Sequence, residues 1–224
     1  MTTKTITTIT PIALPLGLNE PKVTSKILKP DGAFPNNESL PVLIYHGAFD
    51  LVLDDPASQI EATFDSNLWG GIWRNGIYPY HHYHSTSHEV LACYSGDARV
   101  QLGGPSGIST TLEAGDVVII PAGVAHKNLS CSANFRILGA YPRGQHNYDL
   151  RRGLPGERPQ VDQHIARVAL PDGDPVYGAS GPLVAEWHLL AKARKVPTSI
   201  REIPNERPLK MSGSSPGKFS VREQ

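Results

Sequence analysis

At 224 residues the chain has room for one substantial domain, or for one domain with tails. Its 21 basic and 21 acidic residues cancel to a formal net charge of zero, which excludes the electrostatic footprint expected of a protein that binds nucleic acid or an anionic membrane. The 21 glycines and 20 prolines are too many for a helical protein and suit short strands joined by tight turns.

No apolar run approaches the roughly 20 residues that span a bilayer. The first 21 residues carry one lysine and a thin apolar stretch broken by prolines. They lack the continuous core of about 7–15 apolar residues that a secretory signal needs, so a cytoplasmic protein is expected. Two cysteines, Cys93 and Cys131, make no disulfide framework. Without a signal, the sequons at Asn37 and Asn128 read as chance matches.

In chain order, residues 1–40 read as an N-terminal arm, partly flexible, whose first 20 residues are either loose or one edge strand. Turn chemistry at Pro30–Gly32 and Pro35–Asn37 is followed by an apolar run from Pro41 to Gly47, a predicted strand. Asp54, Asp55 and Pro56 form a helix start, and Ile60, Phe64 and Leu68 follow at helical spacing, which predicts a helix over 56–68. From Trp69 onward, short apolar runs alternate with glycine turns. Strands are predicted at Trp73–Tyr83, Glu89–Tyr94, Ala98–Leu102, Ser109–Leu112, Val117–Ile120 and Phe135–Tyr141. Their close spacing implies an antiparallel sandwich or barrel. Gly181–Leu190 reads as a short helix that packs its Leu and Trp face on the barrel. One barrel domain is therefore expected over 41–190, with a polar, proline-rich tail over 191–224. No internal repeat and no second domain stand out.

Five of nine histidines fall in the strand-rich segment. Side chains on a strand alternate faces, so His82 and His84 point one way while His81 and Tyr83 point the other. Two imidazoles at that spacing can share one ion at about 2.1 Å. Glu89 follows after enough chain to turn and open the next strand. His126 follows a buried strand and the turn Pro121–Gly123, which can bring a third imidazole back to the same point.

The spacing is that of a known family. Gly76, five residues, His82, one, His84, four, Glu89, six and Gly96 match the first motif of the cupin superfamily. Gly115, five residues, Pro121, one, Gly123, two and His126 match the second motif as far as its histidine. Its usual closing asparagine is replaced by Ser130, a position that is not a ligand in cupins. Outside the motifs, Pro41–Tyr45, Trp69–Gly76, His81–Glu89, Gly139–Pro142 and Asp174–Gly178 resemble the single-domain YjlB-like cupins. The resemblance implies an all-β jelly-roll barrel, a double-stranded β-helix with a few short peripheral helices. It also implies one divalent ion held by His82, His84, Glu89 and His126. Three imidazoles and a carboxylate suit Fe, Mn, Ni, Co, Cu or Zn, with iron favoured. Comparable sites serve dioxygenases first, then decarboxylases and isomerases; a non-catalytic small-molecule-binding cupin is the reading from another class. The implied partner is a small-molecule substrate, and the implied assembly a homodimer in which residues before Pro41 cover a barrel edge.

Alternation leaves the remaining candidates. Tyr78 and Tyr80 share the parity of His82 and are candidates to line the pocket mouth. Cys93 shares the parity of Glu89 and is expected to point into the barrel, as a small buried residue or a substrate contact. His81 and His88 fall on the opposite face and read as structural. Arg74, Arg99 and Gln101 are weaker candidates for an anionic substrate, and Trp69 and Trp73 read as packing residues. No general base is identified.

Overall fold

Alternate residues of the central strands sort onto two faces, and both faces are buried. The computed structural model describes residues 15–52 and 54–191. Nine strands run in chain order among these residues: β1 (Lys22–Leu28), β2 (Asn37–His46), β3 (Trp69–Asn75), β4 (Glu89–Ser95), β5 (Asp97–Leu102), β6 (Ile108–Glu113), β7 (Val117–Ile120), β8 (His126–Cys131) and β9 (Arg136–Pro142). Helix α1 (Pro56–Ser66) precedes β3, and α2 (Gln160–Ile165) and a π-helical turn (Val184–His188) follow β9. The strands form two antiparallel sheets, one ordered β1-β2-β7-β4-β9-β3 and the other β6-β5-β8. This is the expected jelly-roll barrel.

One set of alternate residues fills the space between the sheets: Val42, Ile44, Leu91, Val118, Ile120 and Ile137 from the larger sheet meet Ala98, Val100, Leu102 and Leu112 from the smaller. The other set, including Leu43, Tyr45, Val90, Ala92, Val117, Ile119 and Leu138, faces outward and is covered by Ile60, Phe64, Leu183 and Trp187. Covering both faces explains why β7 is an unbroken apolar run. Each large side chain buried this way contributes on the order of 1.5–3 kcal/mol before entropy is charged against it.

Helix α1 begins as its sequence predicts, with the Asp55 carboxylate accepting the Ser58 N–H at 3.1 Å. It ends two residues earlier than expected, at Ser66. The C-terminal segment is tied down by Asp174, whose buried carboxylate accepts the Tyr45 hydroxyl at 2.6 Å and the Leu183 N–H at 3.0 Å. Trp187 in the π-helical turn donates its indole N–H to the Pro41 carbonyl at 3.0 Å.

Three expectations about strands are corrected. The strand expected at Trp73–Tyr83 starts earlier, at Trp69, and stops at Asn75. Asn75 folds its side chain back to accept the Gly76 N–H at 2.9 Å, and Pro79 has no N–H to continue a ladder. His82 and Tyr83 rejoin the fold only through single bridges to His126 and Arg151. Strand β8 was not expected, because its sequence is polar and half-exposed at a sheet edge. The N-terminal edge strand lies at Lys22–Leu28 and pairs with β2 of the same chain. The first 14 residues of the predicted arm, and the predicted tail beyond Ala191, lie outside the described residues.

Candidate metal centre

Glu89 opens β4 opposite Ile120 of β7, at one end of the barrel interior. The turn after β7 delivers His126 to the same end. Gly123 in that turn has φ near +91, and a Cβ there would lie 2.5 Å from the Asn36 carbonyl oxygen, so no side chain fits. Its N–H donates to the His84 carbonyl at 2.8 Å, while His82 and His126 exchange backbone hydrogen bonds of 3.2 and 2.9 Å. The expected alternation holds across this bridged segment. His82 and His84 turn inward, while Tyr83 turns away to pack with Ala125 and Val161.

All four side chains are buried and line one cavity. The Glu89 Oε2 lies 3.2 Å from His126 Nε2 and 3.5 Å from His84 Nε2. The His82 ring centroid is 4.1 Å from that of His126 and 6.0 Å from that of His84. Donors at about 2.1 Å from one ion are separated by about 3.0 Å along an octahedral edge and about 3.4 Å along a tetrahedral one. The oxygen–nitrogen separations of 3.2 and 3.5 Å fall close to that range. Although so close to two imidazoles, Oε2 accepts no hydrogen bond of acceptable geometry.

Each imidazole is held by its other nitrogen. Nδ1 of His82 meets the Tyr80 carbonyl at 3.3 Å, Nδ1 of His126 meets the Val124 carbonyl at 3.3 Å, and Nδ1 of His84 meets the Asp149 carbonyl. A carbonyl only accepts, so each Nδ1 carries its proton, and a neutral ring presents its Nε2 lone pair inward. Asp149 is itself held by Ser85, whose N–H and hydroxyl both donate to its carboxylate at 2.6 Å.

Burial, with the adjacent His126 second, pushes the His82 pKa down to about 3, so this ring is neutral near pH 7. Burial alone would raise Glu89, but the His84 and His126 rings beside it hold its carboxyl well below the usual carboxylate range. His84 is raised: burial, the largest influence, opposes its charge, and the Glu89 carboxylate together with Asp149 outweighs it. A cation between these groups would meet the Glu89 carboxylate and the inward Nε2 lone pairs of the rings.

The four side chains form the floor of a cavity of about 250 Å³ whose walls include Trp73, Tyr78, Leu91, Tyr141, Tyr148 and Leu150. Tyr78 lines it as expected. Tyr80 is corrected: it stands behind Tyr78, stacked at 5.0 Å, and does not line the cavity. Its ring instead carries the Arg152 guanidinium at 4.0 Å. Cys93 is also corrected. It points into the barrel, but four residues further along β4, where its thiol donates to the Ser95 and Gly96 carbonyls and it has no face on the cavity. Burial pushes this thiol up to about 11.

Arg74 reaches the cavity rim with its guanidinium paired to Glu61 at 2.6 Å. Arg99 and Gln101 occupy the outer face of β5, bonded to Ser109 and Pro105. His88 faces away from the barrel interior yet is buried, accepting the Ala122 N–H at 2.9 Å under the Trp187 ring. His81 packs against Phe34 at 5.2 Å.

Sequence reasoning passed over Tyr141 and Asp149 as site residues and read Trp73 as packing alone. The Tyr141 hydroxyl donates to Glu89 Oε1 at 3.1 Å and accepts the Trp73 indole N–H at 3.0 Å. Alternation along β9 was a usable signal for Tyr141, since it shares the parity of the interior residue Ile137. Asp149 acts through its backbone carbonyl, which no residue type advertises.

Residues 72–134 match the family of Cupin domains. Protein YjlB of Bacillus subtilis (strain 168), itself uncharacterized, is 41% identical over 157 residues, covering 70% of this chain and 92% of YjlB. Among solved structures, the chain is similar to an acireductone dioxygenase from Bacillus anthracis with cadmium ion in its active centre. That match has 15% identity and a TM-score of 0.30, and covers 40% of this chain and 60% of the dioxygenase. It is also similar to a dTDP-6-deoxy-D-glucose-3,5-epimerase from Legionella pneumophila Philadelphia 1. There the identity is 14% and the TM-score 0.32, over 55% of this chain and 72% of the epimerase.

Proposed function

The chain belongs to the cupin superfamily, in the YjlB-like group, and from that premise we propose that it is a metal-dependent enzyme of small-molecule chemistry, an oxygenase in the first reading. Its ligands in this reading are His82, His84, Glu89 and His126, and iron is the favoured ion among Fe, Mn, Ni, Co, Cu and Zn. One observation carries the proposal. A buried carboxylate oxygen, Glu89 Oε2, accepts no hydrogen bond while two Nε2 atoms stand 3.2 and 3.5 Å away. Donors at these separations are spaced as they would be around one shared cation. The three carbonyl-anchored Nδ1 atoms fit the same purpose.

A divalent ion at this point supplies Lewis acidity, and iron adds the electrons that dioxygen chemistry needs. The protein's own residues do the rest. Four protein donors would leave two positions of a six-coordinate ion for ligands from the cavity. About 250 Å³ admits a substrate of roughly a dozen heavy atoms, below the usual 300–1,000 Å³ of drug-sized sites. A small molecule with vicinal oxygen atoms fits both limits. Trp73 and Leu91 give the walls apolar surface, and Tyr78 and Tyr148 stand partly exposed around the cavity.

A second reading, a metal-dependent isomerase or decarboxylase, has one observation in its favour. Tyr141 brings an O–H to the cavity wall beside Glu89. Burial and then the Glu89 charge raise its pKa, so the phenol keeps its proton and serves as a donor rather than a base. We further propose a homodimer, since the outer edge of β1 is unpaired among the described residues and exposes Val23 and Ile27. Among the same residues, no helix is long and apolar enough to cross a membrane.

The test is elemental analysis of protein purified without added metal, with His82→Ala and His126→Ala alongside. Near-stoichiometric iron that both variants lose supports the oxygenase and directs substrate screening to oxygen consumption. Zinc or nickel at similar occupancy shifts the reading to isomerase, decarboxylase or ligand binding. Absence of metal after reconstitution removes the proposal.

A further inference from the structure

The carboxylate of Glu89 is not symmetric in its surroundings. Oε2 faces the histidines, whereas Oε1 accepts the Tyr141 hydroxyl at 3.1 Å on the other side. The phenol oxygen in turn accepts the Trp73 indole N–H at 3.0 Å. An indole N–H can only donate, so it occupies a lone pair of the phenol and aims the phenol proton at Glu89. The three residues come from β3, β9 and β4, which lie side by side in the larger sheet in that order reversed. Trp73 can reach across because its partner in the register is Gly139: a Cβ at 139 would fall inside the indole ring. The Tyr141 ring is fixed as well, stacked on Tyr148 at 4.1 Å.

We propose that the chain Trp73–Tyr141–Glu89 is a positioning device that reserves Oε1 and makes Glu89 a one-oxygen ligand, so that two coordination positions stay open to substrate. The proposal rests on the four-ligand reading of the site. A carboxylate free at both oxygens can bind a divalent ion through either one or two of them. With Oε1 held by a phenol, only Oε2 is available. Replacing the phenol by a phenyl ring releases Oε1 to the ion, and the second oxygen then takes a position that substrate or water would use. Tyr141 acts here through Glu89, as a positioning residue, and Trp73 acts through Tyr141.

The experiment uses Mn(II) as a probe and reads two quantities on the full-length protein, its affinity and the water-proton relaxivity of the bound ion. Relaxivity scales with the number of water molecules directly on the ion. In the wild type, four protein donors leave about two. Tyr141→Phe is expected to cut relaxivity roughly to half as one of two waters is displaced, with metal affinity changed by about tenfold, the usual scale for losing a partner of a ligand. Trp73→Phe, which frees the phenol to rotate, is expected to move relaxivity the same way by a smaller factor. It also stands in if Tyr141→Phe does not fold. Tyr177→Phe removes a hydroxyl that bonds Asn19, remote from the site, and is expected to change neither quantity.

Unchanged relaxivity in both site variants overturns the proposal, even if affinity falls, because the hydroxyl would then support the site without setting how Glu89 binds. A wild type that takes up no Mn(II), Fe(II) or Co(II) overturns the ligand reading, and this proposal with it. Metal uptake by the wild type with unaltered variants overturns the positioning role alone.

Discussion

Trp73 and Gly139 sit directly opposite each other in the β3–β9 pair, and the indole lies where a side chain at 139 would have to be. The backbone at 139 is not in the left-handed region, so the glycine serves the ring and not the chain. Gly139→Ala is therefore expected to push the indole off β9 and break its 3.0 Å hydrogen bond to Tyr141. Crowding of this kind destabilises by about 1–3 kcal/mol. Urea unfolding measures that loss, and a melting curve equal to the wild type's would show that the ring has room to move.

If His82, His84, Glu89 and His126 hold a metal, stability becomes a function of metal concentration. At free metal 100-fold above Kd the native state gains about 2.7 kcal/mol. Thermal melts with and without a chelator should differ for the wild type and coincide for His82→Ala and His126→Ala. The barrel itself is built on two large apolar clusters that include none of the four ligands, so the chelated protein is expected to remain folded.

The two thiols should react very differently. Cys93 is fully buried with its pKa pushed up to about 11, whereas Cys131 is exposed at the end of β8. Iodoacetamide at pH 8 is expected to label only Cys131 in the native protein and both residues in denaturant, as read by mass spectrometry. Native labelling of Cys93 at a comparable rate would contradict its burial.

His88 predicts a pH dependence of stability. Burial depresses its pKa to about 3, against about 6.5 when unfolded. The folded chain thus keeps this ring neutral while the unfolded chain takes up a proton. Its contribution is fully present above about pH 6.5 and is lost as pH falls toward 3, at about 1.4 kcal/mol per pH unit. His88→Gln keeps an acceptor for the Ala122 N–H but removes the titration. Equilibrium unfolding between pH 6 and 4 should show a shallower pH slope for this variant than for the wild type.

The elements differ in how far the chain announces them. Helix α1 and the strand Val117–Ile120 were plain, the first from an Asp–Pro start with apolar residues at helical spacing, the second from an unbroken apolar run. Strand β8 was hidden because an edge strand needs no apolar alternation, and the segment 76–81 passed for strand until Pro79 and the folded-back Asn75 were placed. Parity assigned Cys93 to the right face but could not say how deep along the barrel it lies. For Tyr80 it gave a side, and only the stack with Tyr78 decided which of the two rings meets the cavity.

What the sequence determined by itself is local in origin. His82 and His84 share a face through the two-residue period of an extended chain, and a glycine turn of fixed length returns His126 to them. Such relations span few residues and survive any packing that keeps the strands. The tertiary structure alone decided how those side chains are held. Tyr141 reaches Glu89 across 52 residues of sequence, Trp73 reaches Tyr141 across 68, and the Asp149 carbonyl reaches His84 across 65. These contacts depend on strand order, register and the absence of a side chain at Gly139. Those quantities are set by packing two sheets and their coverings together, and no short stretch of the chain contains them.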